Sequence, residues 1–275
     1  REHGQGVHAC SRIGWPMNKI RWIVCLLIVS VVMVTAITRY WNQRHAQRIV
    51  DTRTVSEEPE VSPEPTAKHA AWNTYHGSNS LTGFADVALP DQLGILWRFK
   101  AAAPVYQPPV LSGERVFIAT DRGTVIAVDP KGQPIWSKEL LTGEENKGTP
   151  VRERIDSPMA CFEGHLFVGT VRGMVYALDE ASGAEKWHVS IDNPIKGSIN
   201  FLRSDAGAHV YVIGNAQGQL FCLDAASGSI LWRSDPIDRC DASPAVSEKA
   251  VVFGSCAAAL HVFDPKGPAL LRSIE

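Results

Sequence analysis

Charge is scarce in this 275-residue chain: 20% of residues are Asp, Glu, Lys or Arg, and the formal net charge is −2. A chain of this balance has no whole-molecule field for neutralising many phosphates, so nucleic acid is set aside as a partner. The six cysteines include no C-x-x-C pair and no alternating cysteine–histidine cluster, so nothing supports a structural zinc site. Low hydrophobicity is absent too. With 45% apolar residues the chain has the material for one sizeable core, which argues against disorder throughout.

What is present divides into four stretches. Residues 1–16 precede Met17 and read as an unstructured extension. Residues 17–41 hold an uncharged run at 22–38 (WIVCLLIVSVVMVTAIT), preceded by Lys19 and Arg21 and followed by Arg39, Arg44 and Arg48. Its length, with Trp22, Tyr40 and Trp41 at the interfaces, predicts one transmembrane helix kept as a signal anchor. A cleaved signal peptide, with Val34-Thr35-Ala36 as its small-residue site, is the alternative. Residues 42–71 form a linker, containing VSEEPEVSPEPT at 55–66; its prolines and glutamates predict an extended spacer between membrane and domain. Basic residues after the apolar run slightly outnumber those before it, which by charge alone would place the remaining domain inside.

From residue 72 to 275 one pattern recurs. Two apolar runs separated by a glycine-bearing turn lead to an aspartate and then, in three copies, a tryptophan: Ala127, Asp129 and Trp136; Ala177, Asp179, Gly183 and Trp187; Asp224, Gly228 and Trp232. The fourth copy keeps Asp264 and has Leu271 where tryptophan is expected. The aspartates lie 50, 45 and 40 residues apart, the span of one four-stranded propeller blade. Unalternating apolar runs fit strands covered on both faces by neighbouring blades. The aspartates open tight turns, with Gly132, Gly183, Gly228 and Gly267 available for positive φ. The fold expected is therefore all-β: a partial β-propeller of four antiparallel blades after one transmembrane helix. A β-sandwich is the competing architecture.

The stretch 177–187 (ALDEASGAEKW) resembles the A-x-D-x-x-[ST]-G-x-x-x-W repeat of the pyrroloquinoline-quinone-like (PQQ-like) propeller family, and 223–232 (LDAASGSILW) follows it closely. The lead-in WNTYHG at 72–77, running on to Trp97, is similar to that family's opening. The resemblance implies a ring of seven or eight blades. At this repeat length four copies are too few, so the propeller is expected to be incomplete at its C-terminal end, with the strand around Trp97 completing a missing blade.

Aligning the repeats gives roles to the unusual residues. Cys222 takes the slot of Ala127, Ala177 and Val262, and His261 that of Ile126, Tyr176 and Phe221, so both read as packing residues. The repeated aspartates read as turn formers, not an acid–base or metal array. Cys256 aligns with Asp121 in the second turn of a blade, and Cys240 precedes the same blade's first strand. They fall on one face, where either a disulfide or two free thiols is consistent; a disulfide would place the propeller in an oxidising, extracytoplasmic compartment and overrule the charge count. The same face gathers Arg122, Arg154, Asp156, Arg172, Arg239 and Asp241, either a partner-binding surface or a solvated rim.

Two functions follow from the resemblance. One is a non-catalytic, membrane-anchored scaffold that binds other proteins, similar to the outer-membrane assembly propellers, with no cofactor. Those are lipoproteins, and here Ile23-Val24-Cys25 lacks the small residue a lipidation site needs, so the helix would be the anchor. The alternative is a quinoprotein dehydrogenase oxidising an alcohol or sugar with PQQ and calcium; the adjacent cysteines frequent in that branch do not occur. A sensor ectodomain would need an effector domain, and residues 1–16 are too short for one.

Overall fold

The computed structural model describes residues 33, 72–143 and 150–275. The anchor reading of 17–41 falls outside them apart from Met33, as does the whole of the linker at 42–71. Among the described residues no helix is long and apolar enough to cross a membrane.

Runs rich in valine, isoleucine and aromatics form strands, because such side chains suit a pleated surface packed on both sides. Blade 1 comprises β1 (Val110–Ser112), β2 (Arg115–Ala119), β3 (Thr124–Val128) and β4 (Pro134–Glu139). A small hairpin, β5 (Leu141–Gly143) with β6 (Pro150–Arg152), interrupts the path to blade 2. Blade 2 is β7 (Ala160–Phe162), β8 (His165–Gly169), β9 (Met174–Asp179) and β10 (Glu185–Ser190). Blade 3 is β11 (Asn200–Ser204), β12 (Gly207–Gly214), β13 (Gln219–Asp224) and β14 (Ile230–Arg233); blade 4 is β15 (Ala245–Val246), β16 (Val251–Gly254), β17 (Leu260–Phe263) and β18 (Leu270–Ile274). Each blade is a four-stranded antiparallel meander in chain order.

The core lies between blades, not within a sandwich. Along β9, Tyr176 and Leu178 pack with Phe117 and Val125 of blade 1, while Val175 and Ala177 pack with Val210 and Phe221 of blade 3. Along β13, Phe221 and Leu223 face blade 2, while Leu220 and Cys222 face Val251 and Phe253 of blade 4. Both faces of a middle blade are thus buried, which is why the runs do not alternate; each large side chain so removed from water contributes about 1.5–3 kcal/mol.

A tryptophan-on-glycine seat joins blade 1 to blade 2 and blade 2 to blade 3, and an earlier copy sets Trp97, which lies in no strand although one was expected there, on blade 1. Trp97, Trp136 and Trp187 lie flat on Gly132, Gly183 and Gly228, where an added Cβ would come within 2.8, 2.5 and 2.5 Å of the indole. Each indole Nε1 donates to the carbonyl just after the turn aspartate: Pro130 (2.8 Å), Glu180 (3.2 Å) and Ala225 (3.1 Å). In register, Trp136, Trp187 and Trp232 stand opposite Ala127, Ala177 and Cys222, small residues that leave room for the ring.

The fourth seam departs from the expectation in two ways. Gly267 is not at positive φ, unlike Gly132, Gly183 and Gly228. Pro268 follows it, and a proline disfavours helical-type conformations in the residue before it, so the turn opens differently. Nothing lies within 4 Å of where a Gly267 Cβ would be, and the phenol of Tyr211 donates to Pro265 O (2.8 Å) in place of an indole. A cleft of about 450 Å³ lined by Arg233, Ile237, Phe263 and Leu270 opens at this seam. The register also places Arg272, not Leu271, opposite Val262 in the tryptophan slot.

The turns hold by side-chain hydrogen bonds to backbone N–H groups. Asp129 accepts from Lys131 and Gln133, Asp224 from Ser227, and Asp264 from Lys266. Asp179 accepts from the Ser182 hydroxyl and the Ala181 and Ser182 amides, and pairs with Lys186 at 3.1 Å. The Ser182 hydroxyl first, then Lys186, holds its pKa at about 2 against 3.8. A carboxylate with a lowered folded pKa stabilises the fold fully above the unfolded value, and that contribution is lost as pH falls through the folded one. Asp179→Asn is therefore expected to flatten the stability curve between pH 3.8 and about 2. Thermal melts of both proteins across that window check it.

Candidate binding face

Because each blade is a meander, the turns between second and third strands and the linkers between blades share one face, the loop face. The linkers are laced between these turns. The backbone of Glu153 packs on Gly123, of Asn193 on Gly173 and of Asp238 on Gly218. The next linker carbonyl then accepts from the following turn: Arg154 O from Val171 N (2.9 Å), Pro194 O from Asn215 N (2.7 Å) and Arg239 O from Cys256 N (2.8 Å). Pro104 O accepts from Asp121 N (3.0 Å) in the same way.

This lacing brings the charged residues together in two corners. At the first, Arg154 grips Asp156 with two contacts, Nε to Oδ1 (3.1 Å) and Nη2 to Oδ2 (2.9 Å). Exposed Arg122 belongs to the turn against Glu153, and exposed Arg172 to the turn against Arg154. At the second, Arg239 Nη2 meets Asp241 Oδ2 (2.8 Å), Lys196 approaches Asp241 Oδ1 (3.8 Å), and the Asn215 amide donates to the same carboxylate. Arg-x-Asp is thus repeated at equivalent linker positions.

Glu153 was not legible from the repeat. It is 1% exposed, its Oε1 accepts from the Tyr176 hydroxyl (3.4 Å), and its Oε2 has no hydrogen-bond partner among the described residues. Burial and then Glu153 push the Tyr176 phenol well above its ordinary pKa. The only sequence signal was an acid one residue before Arg154.

On the axis, the first strands of consecutive blades touch one another, and residues 72–79 cross them. Leu111 N donates to Trp72 O (2.8 Å), Cys161 N to Asn73 O (2.7 Å) and Val246 N to Asn79 O (2.7 Å), while Asn79 Nδ2 donates to Phe201 O (2.6 Å). The lead-in thus ties the inner strands of all four blades.

His261 is 3% exposed and bonded at both ring nitrogens, to Ser255 (2.8 Å) and Ser273 (3.0 Å) hydroxyls. Cys222 is buried, and burial pushes its thiol up to about 12. Cys240 and Cys256 are both free thiols. Among the described residues no three histidines, cysteines or acids assemble as a metal site.

Stacked antiparallel blades joined by tryptophan seats define a β-propeller. The chain belongs to the PQQ-like propeller repeat family: a family model described as outer membrane protein assembly factor BamB matches residues 121–202 and 171–267, over half of the chain. It is similar to the outer membrane protein assembly factor BamB of Xanthomonas campestris pv. campestris, 30% identical over 92 residues, covering 33% of this chain and 22% of that protein. It is also similar to the quinohemoprotein alcohol dehydrogenase of Comamonas testosteroni, 26% identical over 110 residues, covering 39% of this chain and 16% of that protein. A solved quinohemoprotein alcohol dehydrogenase from Pseudomonas putida HK5 shares the fold at 13% identity, with a TM-score of 0.56 over 75% of this chain and 40% of that one. The chain thus spans well under half the length of each of these relatives.

Proposed function

We propose that the chain is a non-catalytic propeller, tethered by residues 17–41 and held off the membrane by 42–71, that binds other proteins through its loop face as an assembly scaffold. The observation that carries this reading is the state of the loop-face acids. Asp156 and Asp241 are already engaged by Arg154 and by Arg239 with Lys196, so neither offers a vacant carboxylate to a calcium ion. Those two acids are therefore committed to basic partners and are not set up as calcium ligands. A surface of paired charges with exposed arginines suits a polypeptide partner, where charge complementarity sets orientation and encounter rate. The relative named as an assembly factor supports the same direction; the relative named as an alcohol dehydrogenase supports the alternative, oxidation of an alcohol or sugar with PQQ and calcium.

Titration with PQQ and calcium, followed by visible absorbance and an alcohol-oxidation assay, separates the two. No stoichiometric binding and no turnover is the expected result. Saturable binding with turnover overturns the scaffold reading.

A further inference from the structure

The lacing of linker and turn has one position where both partners are cysteine. The residue after the accepting carbonyl and the residue donating to it are Val105 and Asp121, Ile155 and Val171, Ile195 and Asn215, and finally Cys240 and Cys256. Cys256 N donates to Arg239 O at 2.8 Å, so Cys256 is held beside the peptide that joins Arg239 to Cys240. Cys240 N donates to Asn215 O (2.9 Å), and its Sγ points at Gly254 O (3.0 Å), two residues before Cys256. Cys240 is 1% exposed, whereas Cys256 is exposed.

We propose that Cys240 and Cys256 form a cross-linking site in which the exposed Cys256 reacts first with a low-molecular-weight disulfide and the buried Cys240 resolves it. The Cys256 thiolate attacks one sulfur of the small disulfide, that S–S bond breaks, and one small thiol leaves and takes a proton. Cys240 then leaves the Gly254 carbonyl, gives its proton to solvent and attacks the Cys256 sulfur, expelling the second small thiol. Two protein thiols are oxidised and one small disulfide is reduced. The order follows from access: Cys240 is buried, which also pushes its thiol up to about 11 and makes it a poor first nucleophile, while Cys256 is the exposed member of the pair and open to a bulky reagent. The bond staples the linker carrying Arg239 and Asp241 to blade 4, fixing the second charged corner of the loop face. It stands independently of the function proposed above.

The test is incubation of the purified full chain with oxidised glutathione, an acid quench and peptide mapping by mass spectrometry. The wild type is expected to yield a Cys240–Cys256 cross-linked peptide with the loss of two hydrogens, leaving buried Cys161 and Cys222 as thiols. Cys240→Ser, and Cys240→Ala as a second variant against misfolding, are expected to retain glutathione on Cys256. Cys256→Ser is expected to leave Cys240 unreacted. A wild type that accumulates a stable glutathione adduct on Cys256 with Cys240 still a thiol overturns the proposal. So does a Cys256 that does not react or that couples to a different cysteine.

Discussion

Trp187→Ala is expected to lower stability by about 3 kcal/mol, near the lower end for loss of a large aromatic because the ring is half-buried. The substitution empties the seat over Gly228, removes the Nε1 bond to Ala225 O at 3.1 Å and strips the ring beside Phe167, 5.8 Å away between centroids. It leaves a gap at the seam of blades 2 and 3, which a rigid sheet cannot collapse to fill. Trp232→Ala is the comparison. Its indole has no glycine seat on blade 4 and keeps mainly a tilted contact with Tyr211 at 6.0 Å, so its loss is expected to cost about half as much. Urea unfolding of the two variants checks the contrast; equal losses would contradict the seat as the source of the difference.

The second large effect is at Gly218. An added Cβ would lie 1.9 Å from the carbonyl oxygen of Asp238, and the residue holds φ +59. The obstacle is backbone, with no flexible side chain to move aside. Gly218→Ala combines a left-handed conformation costing about 1–2 kcal/mol with overpacking of about 1–3 kcal/mol, so a loss of about 3 kcal/mol is expected. The substitution also pushes the linker carrying Arg239 and Asp241 outward. The expected signature is a lowered urea midpoint together with faster hydrogen exchange at the Cys240 amide, which donates to Asn215 O in the native fold.

Both predictions rest on features of unequal legibility. The blade was legible because its period, its aspartate turn and its tryptophan each have a local physical cause that repeats. Cys222 and His261 were legible through that alignment: a residue in the slot of Ala127 or Ile126 inherits its environment. The fourth seam was not, because it turns on one dipeptide, Gly267-Pro268, that changes a backbone conformation without changing the glycine. The slot of Leu271 was misplaced by one residue: tryptophan follows the aspartate by eight residues in the second and third copies, a spacing that points to Arg272, and Arg272 is the residue opposite Val262. The spacing of 50 residues between Asp129 and Asp179 did carry a signal for the inserted β5–β6 hairpin, since the other intervals are shorter.

The candidate site was legible as a face and not as contacts. Antiparallel order alone assigns Arg154, Asp156, Arg239 and Asp241 to the loop side. That each arginine would close on the acid two residues on depends on linker conformation, which in turn depends on glycines 123, 173 and 218 receiving the linker backbone. The burial of Glu153 against Tyr176 and the crossing of Asn79 over the inner strands are long-range facts: the first is not shared by Asn193 and Asp238 at the equivalent linker positions as a contact with a tyrosine hydroxyl, and the second is made by a residue outside the repeat.

The central claim is that polypeptide partners meet the loop face. Photo-cross-linking tests it most directly: a photoreactive amino acid at Arg122 or Arg172 on the loop face is compared with the same residue at Lys131 or Ala181 in the opposite turns, in native membranes. Discrete polypeptide adducts from positions 122 and 172, with little from 131 and 181, are the result expected. Adducts from the opposite turns alone, or none from the loop face, would contradict it.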